Sequence, residues 1–231
     1  MAIKKKWGRR DIPPCPDPEQ YILVKTAERP YWRRKRGSVK PAVLNTAFAA
    51  NAANTKLTSP ATVRLLERLR PYLTGLTTGR LKVQVEGGLR KALNADGNMN
   101  YRFLEGLDLQ PRYPLPNLLR DTPKVVVAEG FVQTVLDLEG GAVKRHSPLV
   151  THWWAEAVLV WGDPLSDGLR VDSTESPLYA FADTSLTECR LEMDLPAVGH
   201  PWMLLLKVSC LEGHELAVSS RHYGMRVVKA G

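Results

Sequence analysis

Thr187-Glu188-Cys189-Arg190-Leu191-Glu192-Met193-Asp194-Leu195 alternates without a fault between one set of mostly apolar side chains and another that is wholly charged. Successive side chains of a strand point to opposite faces, so this segment reads as a strand with one buried and one wet face. Working outward, the neighbouring text keeps the same character. Lys124–Ala128, Phe131–Leu138, Thr151–Trp161, Leu178–Ala182, Trp202–Leu211, Glu215–Ser220 and Met225–Lys229 all read as strands, with turns at Glu139-Gly140-Gly141 and Gly213. Short strands at this spacing predict an antiparallel, sandwich-like domain over residues 124–231. On strand parity Trp153 and Trp161 belong to the core, and Trp154 faces outward.

Upstream the pattern changes. Residues 111–123 hold Pro111, Pro114, Pro116 and Pro123 and mark the expected boundary. Before them, residues 41–110 read mainly as a helical segment. Ala42–Ala53 is alanine-rich, and Ser59-Pro60 predicts the start of a second helix bearing Val63, Leu66 and Leu69 on one face and ending near Arg70. Residues 78–93 fit either a helix with Leu81, Val85, Leu89 and Ala92 on one face or a strand with Leu81, Val83 and Val85 alternating. Gly87-Gly88 weakens the helical alternative. Tyr101–Leu109 reads as a short strand.

Residues 1–40 form a third kind of text, an extended basic arm. Pro13, Pro14, Pro16 and Pro18 forbid a helix or a central strand there, although Tyr21–Val24 suits a short strand. The arm holds twelve Lys or Arg against four acids, a net of +8. Residues 41–122 carry net +5 and residues 123–231 net −5, so the chain is polarised along its length. Aromatic rings sit among the cations in Lys4-Lys5-Lys6-Trp7-Gly8-Arg9-Arg10 and in Tyr31-Trp32-Arg33-Arg34-Lys35-Arg36. Cations displace counterions from phosphates and rings stack on bases, so Lys4, Lys5, Lys6, Trp7, Arg9, Arg10, Tyr31, Trp32, Arg33, Arg34, Lys35 and Arg36 are the candidate binding residues. The same charges equally suit docking on the acidic body of another copy.

The usual signatures of catalysis do not occur. His146, His152, His200, His214 and His222 show no metal-ligand spacing, and no nucleophile elbow or phosphate loop is written. Gly87-Gly88 and Gly140-Gly141 read as bends. The three cysteines, Cys15, Cys189 and Cys210, are odd in number and lack CxxC spacing, which suits a reducing compartment. Polar and proline-rich text follows the basic start, so no export signal is read, and a cytoplasmic location is expected. No apolar run is long enough to span a bilayer.

Trp32-Arg33-Arg34-Lys35-Arg36-Gly37 leads into an Ala/Asn/Phe helix. Leu107-Asp108-Leu109-Gln110-Pro111 precedes further prolines, and Leu216-Ala217-Val218-Ser219-Ser220 is followed by Tyr223-Gly224. Through these segments, over residues 30–228, the chain resembles an uncharacterised protein family of Bacteroidota, a resemblance that implies the same architecture and supplies no catalytic residues. The expectation is therefore an α+β protein: a basic extended arm, a small helical segment and an antiparallel β-sandwich-like domain. It is expected to be non-enzymatic, without cofactor, metal or small-molecule substrate. The arm would bind further copies of the chain or, alternatively, nucleic acid without sequence preference.

Overall fold

A computed structural model describes residues 12, 14–24, 30–35, 46–183, 185, 187–213 and 215–231, with the side chains of the first helix described from residue 50 onward. The chain divides into two compact units, Met1–Ala50 and Asn51–Gly231. In the first, β1 (Tyr21–Val24) pairs antiparallel with β2 (Tyr31–Arg34).

The second unit is built around a large antiparallel sheet. Its two inner strands are β5 (Val150–Trp161) and β9 (Trp202–Glu212), paired along nearly their whole length. Beside β5 lie β6 (Arg170–Glu175) and the short β7 (Tyr179–Ala180); beside β9 lie β11 (Tyr223–Ala230) and the short β10 (Glu215–Leu216). A smaller sheet, ordered β3-β4-β8, contains β3 (Lys124–Ala128), β4 (Phe131–Asp137) and β8 (Glu188–Asp194). Both sheets are antiparallel, and the fold is α+β.

The alternation in β8 behaves as its sequence requires: Cys189, Leu191 and Met193 are buried while Glu188, Arg190, Glu192 and Asp194 are exposed. Its inner residues join Val132 and Leu136 of β4 against Ala155, Ala157 and Leu159 of β5 and Leu204, Leu206 and Val208 of β9. The two sheets therefore pack face to face. The opposite face of the large sheet carries Val158, Val160, Met203, Leu205, Met225 and Val227, and it packs against helices. A strand buried on both faces loses its alternation, which is why Ala157–Val160 and Met203–Leu206 read as apolar runs. Trp153 lies in the sandwich core at 4% exposure, whereas Trp154, on the helix-side face, is half-buried rather than turned to solvent.

The helical layer differs in detail from expectation. One helix, α1 (Thr46–Leu69), runs straight through Ser59-Pro60, where two helices were expected. Pro60 withholds one backbone donor, yet Ala61, Leu65 and Leu69 are buried at i, i+4 and i+8, and continuity of that stripe outweighs the lost bond. Of the expected stripe, Leu69 is buried and Leu66 packs half-buried against the core, while Val63 is exposed. Residues 78–93 fall largely within helix α2 (Leu81–Asp96), with Leu81, Val85, Gly88, Leu89 and Ala92 buried, so the helical alternative is the correct one. Gly97, in the left-handed region, ends it by donating to the Leu93 carbonyl.

Tyr101–Leu109 is not a regular strand. Arg102–Leu104 forms a 3-10 turn, and only the end of the segment runs along β11, where Gly106 and Leu109 donate to the carbonyls of Val227 and Met225. The signal was diluted because Tyr101 and Leu104 are buried at turn spacing instead of alternating. Strand β6, Arg170–Glu175, has no counterpart among the expected strands, because its sequence is mostly polar and mostly exposed. The proline-rich stretch is well packed, since short helix α3 (Leu115–Leu118) sends Leu115, Leu118 and Leu119 into the core between the sheets.

Gly87 and Gly88 separate two roles. A Cβ on Gly87 meets nothing within 4 Å, but one on Gly88 would collide with Cδ2 of the buried Leu104 and lie 3.3 Å from the Phe103 carbonyl oxygen. Gly87→Ala is therefore expected to raise unfolding free energy by about 0.5–1 kcal/mol. Gly88→Ala is expected to lower it by about 1–3 kcal/mol. Urea denaturation of the two variants checks the opposite signs.

Candidate functional site

Of the twelve binding residues expected from sequence, Lys4, Lys5, Lys6, Trp7, Arg9, Arg10 and Arg36 lie outside the described residues. The remaining five are brought together on or directly after β2. Register pairs Tyr21 with Arg34, Ile22 with Arg33, Leu23 with Trp32 and Val24 with Tyr31. Directly opposed residues share a face, so Tyr21, Leu23, Trp32 and Arg34 form one side of the hairpin, and Ile22, Val24, Tyr31 and Arg33 form the other. The second side is the more open, with Tyr31 48% and Ile22 39% exposed.

The cations differ in what they touch. Arg34 donates to the Gln20 carboxamide oxygen at 3.1 Å, and Lys35 Nζ to the Pro18 carbonyl at 3.1 Å, which ties β2 to the turn before β1. The exposed Arg33 side chain has no hydrogen bond or ion pair among the described residues. An open guanidinium beside an open phenol ring can hold a carboxylate or phosphate in fork geometry while the ring packs on an apolar or planar surface.

Carboxylates gather in the other unit. Glu188, Glu192 and Asp194 line the wet face of β8, where Arg190 meets Glu188 at 2.5 Å and Gln133 donates to Glu192 at 3.0 Å. Beside them a cleft of about 420 Å³ is lined by Asp121, Asp137, Glu139 and Glu188, with Lys124 as its one cation. A larger, mainly apolar cleft of about 980 Å³ runs between the Leu195–Trp202 loop, the Ala128–Gly130 turn and Asn98–Arg102.

Two ionisable groups inside the fold carried only a faint sequence signal. Glu156 and Lys207 face each other across β5 and β9 at 3.6 Å, both nearly buried. Burial raises the Glu156 pKa and lowers that of Lys207, and their mutual attraction opposes both shifts. Each is a lone charge in an apolar run. His222, 1% exposed, accepts a hydrogen bond at Nε2 from Arg221 Nε at 3.3 Å, with a Glu212 carboxylate oxygen 3.9 Å away.

Among the described residues no group of three or more His, Cys, Asp or Glu is arranged to hold a metal ion, and no helix is long and apolar enough to cross a membrane. Cys15, Cys189 and Cys210 are free, and burial pushes the Cys210 thiol up to about 12. No protein-family model, curated protein or solved structure matches the chain.

His222 has a consequence for stability. Burial, then the Arg221 charge, then His146 hold its pKa below 6.5, and Glu212 opposes them. The unfolded chain therefore takes up this proton first as pH falls. The stability contribution is complete above 6.5 and lost below it. Denaturation at about pH 7 and about pH 5 should show a loss of at most about 1.4 kcal/mol per pH unit from this group. His222→Gln should flatten that part of the profile.

Proposed function

We propose that the chain is a non-enzymatic interaction protein that assembles with further copies of itself through its basic N-terminal segment. The observation that carries this reading is the open hairpin face on which Tyr31 and Arg33 stand side by side with Ile22 and Val24. An apolar and cationic patch of this kind needs a surface that is partly apolar and negatively charged. The outer face of β3, β4 and β8 has that character: Val126 and the half-buried Phe131 and Val135 lie among Asp137, Glu188, Glu192 and Asp194. The opposite net charges of the two chain ends support association in the same sense.

A second reading has one observation in its favour. The pairing of one ring with one guanidinium on each face of β2, Tyr31 with Arg33 and Trp32 with Arg34, also suits a phosphate backbone with bases stacked on Tyr31, so nucleic acid bound without sequence preference is the alternative partner.

Light scattering after size exclusion separates these readings. Self-assembly through the hairpin predicts a mass at low salt that falls as salt is raised. Arg33→Glu should weaken association about two- to fivefold per contact, the range for an exposed charge pair of about 0.5–1 kcal/mol, and should leave the unfolding midpoint unchanged. If the mass instead shows no dependence on salt or on Arg33, while a single-stranded oligonucleotide binds with a steep salt slope, the alternative replaces it.

A further inference from the structure

Strand β3 reads Lys124-Val125-Val126-Val127-Ala128 and forms the end of its sheet. Val126 is 48% exposed on one face and Val127 45% exposed on the other. Three consecutive valines on an open edge are a ready template for another strand, and proteins usually cover such edges.

The ladder shows which backbone groups are open. Ala128 pairs with Phe131 across the two-residue turn Glu129-Gly130, so those two exchange both backbone bonds, and the bonded pairs then alternate. The other side of β4 agrees with this phase: Leu195 donates to the Gly130 carbonyl and Leu138 to the Thr187 carbonyl. Lys124, Val126 and Ala128 therefore bond to β4. The amides and carbonyls of Val125 and Val127 point away from it, and among the described residues nothing bonds to them.

We infer that this edge pairs with the same edge of a second copy, antiparallel and centred on Val126, to join two three-stranded sheets into one continuous sheet. A two-fold axis at Val126 sets Val125 opposite Val127 of the second copy, and Val127 opposite its Val125. Those are the residues with outward-facing amides and carbonyls, so each pair exchanges both N–H···O bonds. The same register sets Lys124 of one copy opposite Ala128 of the other, so the two cations lie at opposite ends of the interface and do not meet. The edge is thus complementary to itself: valine meets valine at its centre and no like charges oppose. The interface uses no residue of the basic segment and resists salt, unlike association through the hairpin.

The full-length chain in about 1 M salt, where charge screening acts within about 3 Å, is the material to test. Light scattering is expected to give a dimer. Val127→Pro removes an amide that bonds nothing within the fold, so the β3–β4 ladder stays whole while dimerisation weakens at least tenfold. Val126 of each copy would sit about 4.5 Å apart at Cα, within the span of a disulfide. In a Cys15→Ser background, Val126→Cys should therefore cross-link under mild oxidation at least tenfold faster than the same protein carrying Val127→Pro. A monomer in high salt or a dimer indifferent to Val127→Pro overturns the inference. Loss of only the salt-sensitive, Arg33-dependent association bears on the hairpin and leaves this edge untouched.

Discussion

Everything in the larger unit answers one constraint: the paired strands β5 and β9 are apolar on both faces, so each face must be covered. Ala155, Ala157, Leu159, Leu204, Leu206 and Val208 point one way; Val158, Val160, Met203 and Leu205 point the other. A small antiparallel sheet covers the first set, and α1 and α2 cover the second. The linking segments are recruited into the same task. Gln110, fully buried, accepts from the Thr77 amide and donates to the carbonyls of Ser220 and Tyr223, which pins the segment after α1 and the approach to β11 together. Tyr101, also buried, donates to the Gly162 carbonyl at 2.7 Å.

The Glu156–Lys207 pair sits within this otherwise apolar sheet. Removing one partner would leave an uncompensated buried charge, whereas replacing both with apolar side chains often costs little. What the pair constrains is alignment. A one-residue slip between β5 and β9 would part the two charges and turn one of them to the sandwich core, so the pair favours a single register.

The surfaces follow from what the core leaves uncovered. The small sheet has one face against the core and the other outside, and its β3 edge ends without a neighbouring strand in the described chain. Its outer face is acidic around an apolar centre. The hairpin has two faces and little interior, and a two-stranded ribbon alone is marginally stable. A short ribbon with an open guanidinium at Arg33 and a short sheet with an open edge are both surfaces that gain from association. One gains chiefly from charge and is screened by salt; the other gains from backbone bonds and is not.

By itself the amino-acid sequence determined the antiparallel strands, the turn glycines, the burial of Cys189, Leu191 and Met193, and the gathering of cations near the start, because period-two patterning and local charge are properties of adjacent residues. It also placed Tyr31–Lys35 together. It could not separate helix from strand over residues 78–93, because both periods share Leu81 and Val85, nor see that Pro60 lies inside a helix, because burial of Ala61, Leu65 and Leu69 outweighs a local break. Strand β6 escaped because an edge partner of β5 needs little apolar sequence of its own. Only the tertiary structure decided that Glu156 meets Lys207, that both faces of β5 and β9 are sealed, and that the amides of Val125 and Val127 point outward. Those depend on which strands become neighbours and in what phase, and that choice is made by contacts between residues far apart in the chain.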